Sequence, residues 1–411
     1  MAGLLTLYYS FNQNLRFPVH HYNSEIWADK AGYYVYLPAT FIYNWDANAF
    51  PARADTLSGE GFKLNSNGTV FTKYPPGVAM MELPVFLAVH SYMKWFQPGR
   101  ADGFQQPYET GLIVSAELAW FMGLYLLGLL ALKHGWSTRR TVGLLLAVLV
   151  ATHTAYFAIW QPAMSHGYTF LLVAWLLWLH HKEVNVRNAL VTAGIVALIG
   201  CIRPVNLLVI SPLLWVIVKR QWQTITEWKW RGIQAVCLML GLLPLILHSL
   251  YNRHAGEVAY AGEGFTHWKA PWIHAILFSA SNGVAVYTPF LFFLIAWVFR
   301  SAVYASSGWS PSRIAALCVL ITLFLYGSWW IPTLSCGLSH RAFLDILPLI
   351  FWAGMQADWE KLWRGKPVWI FALICGIYTS YLAVQYPSCL NDAKGTNPWI
   401  WSEYFGLWRT S

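Results

Sequence analysis

The stretch Leu112-Ile113-Val114-Ser115-Ala116-Glu117-Leu118-Ala119-Trp120-Phe121-Met122-Gly123-Leu124-Tyr125-Leu126-Leu127-Gly128-Leu129-Leu130-Ala131-Leu132, with Lys133-His134-Gly135-Trp136-Ser137-Thr138-Arg139-Arg140 behind it, decides how this chain is read. The first part is almost wholly apolar and about 20 residues long, enough as a helix to span the roughly 30 Å hydrocarbon core of a bilayer. The second part carries Lys133, Arg139 and Arg140, a basic cluster of the kind retained on the cytoplasmic side of a membrane. The helix would therefore run from outside to inside.

Working outward, similar runs begin near Val142, Ala163, Ala189, Val205, Ile233, Val284, Ile314, Phe343 and Val368, which predicts about ten membrane helices. The runs from Ala189 and Phe343 are short for a straight crossing, so broken or partly buried helices are expected there. Basic residues recur in alternate connections: Lys133 with Arg139 and Arg140, Lys182 with Arg187, Lys219 with Arg220, Arg300 with Arg313, and Lys361 with Arg364 and Lys366. These connections are read as cytoplasmic. The other set then faces outward: Gln161 to Gly167, the turn at Arg203-Pro204, Asn252 to Asn282, Pro332 to Arg341, and the tail after Gln385. The expected fold is all-α, a polytopic transmembrane helical bundle of about ten or eleven helices.

Composition agrees, since 57% of the 411 residues are hydrophobic and only 11% are charged, too few to cover soluble domains. Much of the +9 net charge lies in the short clusters between apolar runs, where it sets orientation, which argues against nucleic acid as a partner. Membrane lipids are the implied surroundings, and 25 Trp and 22 Tyr suit many interfacial positions.

One membrane domain is expected over 1–411. Residues 1–9 are too short to cross and read as the remnant of a first helix, 10–108 form a large external loop, 109–385 hold the transmembrane helices, and 386–411 are an external tail. Within the loop, Gly32 to Trp45 suits a helix lying in the interface, and Asp46 to Lys73 reads as irregular. Val78 to Phe96 is apolar, but Pro75-Pro76 precedes it and Glu82 and Pro84 interrupt it, so it is not counted as a crossing. Glu82 and Glu117 are each either a functional acid or one satisfied by neighbouring helices.

The candidate chemistry sits in Trp27-Ala28-Asp29-Lys30-Ala31-Gly32-Tyr33-Tyr34-Val35-Tyr36-Leu37-Pro38-Ala39, an acid just ahead of an aromatic helix, followed by Phe71-Thr72-Lys73-Tyr74-Pro75-Pro76-Gly77. Further segments are Gln161-Pro162-Ala163-Met164-Ser165-His166-Gly167-Tyr168, Ile202-Arg203-Pro204-Val205-Asn206, Tyr287-Thr288-Pro289, Ser328-Trp329-Trp330, and Ser339-His340-Arg341-Ala342-Phe343-Leu344-Asp345. In this order and on one side, they resemble segments of the GT-C superfamily of polytopic glycosyltransferases, which includes protein O-mannosyltransferases and the lipid A aminoarabinose transferase.

The resemblance implies a bundle of GT-C type and a polyprenyl-phosphate-linked sugar donor. It implies inverting transfer to a lipid-linked, glycan or protein acceptor at the outer face of a bacterial cytoplasmic membrane. It also implies that Asp29 serves the acceptor, as general base or through a divalent metal ion. No cofactor is otherwise assigned; Lys73 lacks the neighbouring acid with which some relatives hold a metal, its flanks being Thr72 and Tyr74.

A phosphate leaves without a strong general acid, so such a displacement needs one carboxylate near the acceptor and cations near the phosphate. The plainer reading of Asp29 is a helix-capping acid. Arg341, Lys73 and Arg203 are the candidate phosphate ligands, Arg341 foremost because a guanidinium grips two oxygens; each also suits a snorkelling helix end. His166 would face outward, as a phosphate ligand or a structural histidine.

Asp345 would pair with Arg341 one turn away. His20-His21, and His267 with His274, show no ligand constellation. Asn67-Gly68-Thr69 fits a glycosylation pattern that a sequence this short matches by chance. Cys336 and Cys389, both in external segments, are a candidate disulfide. A transporter or flippase of polyprenyl-linked glycans is the alternative class, and a membrane scaffold a third; the chain shows no internal repeat to favour a transporter.

Overall fold

The structure, a computed structural model, describes residues 2–19, 21–306, 308–334, 337–355, 363, 365–386 and 398–408. It is mostly helical, at 69%, with almost no strand, so the all-α expectation holds. The candidate disulfide Cys336–Cys389 and the basic residues Lys361 and Arg364 lie outside the described residues, as does His20.

The chain begins with α1 (Ala2–Asn14), which extends beyond residue 9 into the expected loop. The Asn14 side chain donates to the Ile159 carbonyl at 2.8 Å and pins this helix to the rest. Next come α2 (Ala28–Tyr34), α3 (Tyr36–Phe41) and α4 (Ala54–Leu57). A hairpin of β1 (Lys63–Leu64) and β2 (Val70–Phe71) follows, so the region read as irregular carries a small sheet. The interfacial reading of Gly32 to Trp45 needs correction. Gly32, Tyr33, Tyr34, Val35 and Leu37 to Ala39 are buried inside the protein, in or beside a core shared with Phe62 and Phe86.

α5 (Gly77–Phe96) is one continuous helix, and Pro84 does not interrupt it. Proline forfeits only the bond to the Met80 carbonyl, a local loss that packing along α6 offsets. Gly77 fixes where α5 starts, because a Cβ there would lie 2.4 Å from the backbone of Cys201 and Ile202.

The apolar runs are helical throughout. They form α6 (Gln106–Lys133), α7 (Thr138–Ala151), α8 (Thr154–Trp160), α9 (Ser165–His180) and α10 (Val186–Ile202). After these come α11 (Pro204–Val209), α12 (Ser211–Thr224), α13 (Trp228–His254), α14 (Ile273–Phe278) and α15 (Val284–Tyr287). The remainder are α16 (Pro289–Tyr304), α17 (Pro311–Gly327), α18 (Phe343–Gly354), α19 (Lys366–Gln385) and α20 (Trp401–Gly406). Local chemistry sets their starts. Ser137, Asn185 and Ser310 cap α7, α10 and α17 by accepting from backbone N–H groups in the first turn, and proline opens α11, α12, α16, α17 and α19.

Among the described residues, three helices are long and apolar enough to cross a membrane: Gln106–Lys133, Trp228–His254 and Lys366–Gln385. α7 and α8 together would make a fourth, bent by 66°. Val186–Ile202, Pro289–Tyr304, Pro311–Gly327 and Phe343–Gly354 are apolar but shorter. These helices mark a membrane-associated protein. The expected shortness at Ala189 and Phe343 has a structural counterpart in each place. α10 breaks at Arg203-Pro204 into α11, and all 12 residues of α18 are buried against α9, α16 and α17. α13 is the opposite case, with only 6% of its most apolar stretch buried, an exposed apolar face of the kind a membrane covers.

Asn67 and Arg139 are both exposed and belong to connections expected on opposite sides of the membrane. Single cysteines replacing them, treated with an impermeant thiol reagent on intact spheroplasts, should give labelling at Asn67→Cys only. Labelling of Arg139→Cys but not Asn67→Cys would invert the topology.

Candidate active site

Four elements meet around one cavity of about 900 Å³. Asp29 comes from the first turn of α2, Lys73 from the segment after the hairpin, Arg203 from the break between α10 and α11, and Arg341 from just before α18. All four line this cavity.

The local backbone explains how Asp29 is held. Ala28 has φ of +48°, a left-handed conformation that costs a non-glycine residue energy and persists only where its surroundings enforce it. Two contacts enforce it: the Ala28 N–H donates to the Ser58 carbonyl at 2.8 Å, and Gly61 packs so close that a Cβ there would lie 2.0 Å from the Ala28 oxygen. No side chain caps α2, and the Asp29 carboxylate is engaged elsewhere, so the capping role does not apply.

Asp29 accepts a hydrogen bond from the Tyr74 hydroxyl at 2.5 Å and pairs with Arg341 at 3.5 Å. Burial pushes its carboxyl up. Arg341, the Tyr74 hydroxyl, Lys73 and Arg203 together outweigh that and hold it below the usual carboxylate range. Asp29 is therefore anionic at neutral pH, and Tyr74, pushed well up by its own burial and by Asp29, keeps its proton and donates.

The cations differ in how far they are engaged. Lys73 is ion-paired with Glu263, from the loop after α13, and its ammonium lies 5.5 Å from the ring centres of both Tyr74 and Tyr260. Arg203 lies 3.6 Å from Asp345, but its Nη1 makes no hydrogen bond. The buried Nε of Arg341 also has no hydrogen-bond partner. Two guanidiniums thus line one cavity, each with a buried donor that no protein group satisfies, an arrangement suited to an anionic oxygen ligand. Lys30 also lines the cavity and is paired with buried Glu25 at 2.6 Å. The remaining wall is largely aromatic, including Tyr33, Tyr156, Phe265, Tyr326 and Trp329.

Two expectations are corrected. His166 is fully buried and does not line the cavity; its Nδ1 lies 2.9 Å from Asp345, so it does not face outward as a phosphate ligand. Asp345 does not pair with Arg341. The helix begins only at Phe343, so the two are not one helical turn apart; Asp345 faces His166, Asn206 and Arg203 instead.

Tyr74 and Glu263 join the site without a role that the sequence alone assigns to either. The only signal for Glu263 is that it is an acid in an outward-assigned loop.

A divalent metal does not fit these residues. Asp29 is ringed by Arg341, Lys73 and Arg203, whose charges oppose a further cation, and Glu263, Asp345 and Glu25 are taken by Lys73, Arg203 and Lys30. Among the described residues, no group of three His, Cys, Asp or Glu side chains is arranged to hold one.

Compared with protein-family models, curated proteins and solved structures, the chain matches none.

Gly61→Ala should push the Ala28–Asp29 turn out of place and lower stability by about 1–3 kcal/mol, as overpacking at a tight contact does. A thermal-unfolding measurement on detergent-purified protein checks it, and an unchanged midpoint would show that the contact can relax.

Proposed function

We propose that this chain is an inverting glycosyltransferase of GT-C type, a bundle of about ten or eleven membrane helices in a bacterial cytoplasmic membrane. It moves a sugar from a polyprenyl-phosphate donor to an acceptor at the outer face. The observation that carries the reading is the convergence of one anionic carboxylate, Asp29, with Lys73, Arg203 and Arg341 on a single large cavity.

The chemistry follows from that set. The acceptor hydroxyl donates to Asp29 and its oxygen attacks the anomeric carbon of the donor. A bond forms from that carbon to the acceptor oxygen while the bond to the phosphate oxygen breaks. The electron pair leaves with the phosphate, whose growing charge Arg341, Arg203 and Lys73 receive. The hydroxyl proton passes to Asp29. One carboxylate suffices because phosphate needs no protonation to leave, whereas hydrolysis of an ordinary glycoside would call for two. The aromatic wall offers ring faces to a sugar, and the apolar helices around it suit a lipid-borne donor.

The test is a transfer assay with purified variants and a labelled polyprenyl-phosphate sugar. Asp29→Asn keeps shape and removes the charge, and should lower kcat by about 100- to 10,000-fold while donor binding survives. Arg341→Lys should mainly raise the donor KM, through loss of the two-point grip. Near-normal turnover by a folded Asp29→Asn protein would sink the reading, and donor translocation without transfer would favour a flippase.

The pH profile gives a separate check. A depressed carboxyl stays charged until pH falls through its own value, so kcat/KM, which reports the donor-free enzyme, should persist below the usual carboxylate range near 3.8 and be lost only beneath it. Tyr74→Phe removes a hydrogen bond that favours the charged form, so its acid limb should move to higher pH. An unmoved limb would assign that titration to another group.

A further inference from the structure

We propose that Asp345 is a positioning residue which holds the Arg203 guanidinium in the donor-phosphate site, and that His166 and Asn206 in turn fix Asp345. The proposal rests on the transferase reading above and gives a task to a buried acid which that chemistry does not use.

Arg203 has a fixed root and a long side chain. Its backbone is extended, at φ −150° and ψ 102°, between the end of α10 and Pro204, which bars the helical conformation at this residue. The side chain then crosses toward the cavity, where 17% of it stays exposed. An arginine side chain has large rotamer freedom, and nothing in its own backbone decides where the guanidinium points. Asp345 is the acid within ion-pair range of it among the described residues.

Asp345 is itself immobilised. It is 1% exposed, its Oδ1 lies 2.9 Å from Nδ1 of His166, and its Oδ2 accepts from Nδ2 of Asn206 at 3.1 Å. Asn206 belongs to the same short helix that begins beside Arg203, so the carboxylate is tied to the element that carries its cation. The proton on Nδ1 of His166 is the one Asp345 attracts. Nε2 of that ring is buried with no partner, which fits a neutral ring whose second nitrogen carries no proton. A neutral histidine orients the carboxylate without cancelling its charge, and that charge is left to act on Arg203.

The 3.6 Å separation then has a purpose. It is close enough for Asp345 to set the direction of the guanidinium and compensate its charge, yet too long to use up the Nη1 donor. Nη1 is buried on the Asp345 side of the guanidinium, and the part of the Arg203 side chain that stays exposed at the cavity remains for the phosphate oxygen.

A double-mutant cycle tests this, with polyprenyl phosphate as the probe for binding and the transfer assay for KM and kcat. Asp345→Asn should weaken polyprenyl phosphate binding by about 10-fold, Arg203→Gln by at least as much, and the double variant no more than Arg203→Gln alone, because contacting residues do not act additively. In transfer, Asp345→Asn should raise the donor KM with a smaller change in kcat, and Asp345→Glu should recover part of the loss. If Asp345→Asn does not fold, Asn206→Leu carries the same test, with a smaller loss that again vanishes in the Arg203→Gln background. Losses that add, or wild-type affinity in a folded Asp345→Asn protein, overturn the positioning role alone. Wild-type protein that binds no polyprenyl phosphate overturns the transferase reading instead, and with it the ligand assigned to Arg203.

Discussion

The contact on which the site depends is the ion pair between Asp29 and Arg341, which joins positions 312 residues apart. Burial alone would drive a carboxyl in this setting to its neutral form, and the opposing cations keep it charged. That requirement explains much of the surrounding architecture. The first loop region has to fold back on the helical bundle so that α2 reaches the residues ahead of α18. It does so through a close backbone approach at Gly77, which packs on Cys201 and Ile202 of the bundle, while Gly61 packs on Ala28 and Gly32 and holds the loop region together. The strained Ala28 is stable only inside this framework.

How much of this was legible in the sequence depends on the kind of interaction. The apolar runs are local, and they mark a mostly helical, membrane-associated chain, though the runs from Val205 and Val284 are each divided into two helices. α2 and α3 were legible as helical but not as buried, since a mixture of tyrosine, alanine, leucine and proline suits a membrane interface and a protein core equally. Asp29, Lys73, Arg203 and Arg341 were chosen from motifs, and the fold brings them together. His166 was misplaced because a histidine just after a loop reads as exposed, and its burial comes from contacts with Phe157 and Asp345, distant in the chain or hidden by the turn between α8 and α9. Glu263 left no pattern to find. Its partner Lys73 is 190 residues away, and a lone acid in a loop has no periodicity to betray it.

Charge balance around the cavity adds a physical constraint on any ligand. Each cation has an acid: Arg341 has Asp29, Lys73 has Glu263, Arg203 has Asp345 and Lys30 has Glu25. The resting cavity is thus internally compensated, and an incoming anion must share these cations with carboxylates already there. Pairing of this sort avoids the large cost of an uncompensated buried charge, at the expense of some ligand affinity. The two partners that line the cavity, Asp29 and Glu263, are exchangeable in a way that fully buried Glu25 and nearly buried Asp345 are not.

That difference bears on how Asp29 would serve as a base on the proposed reading. With Arg341 beside it, Asp29 is a weak base, since the field that keeps it anionic also disfavours its taking a proton. A donor phosphate that draws the Arg341 guanidinium toward its own oxygens weakens that field. The carboxylate then becomes more basic only when the leaving group is in place. Arg341 would on this account act twice, restraining Asp29 in the empty site and stabilising the phosphate in the filled one. The geometry suits such an exchange: the Asp29 to Arg341 contact, at 3.5 Å, is a single-point pairing through Nη2, and Nε of the same guanidinium has no other hydrogen bond to give up.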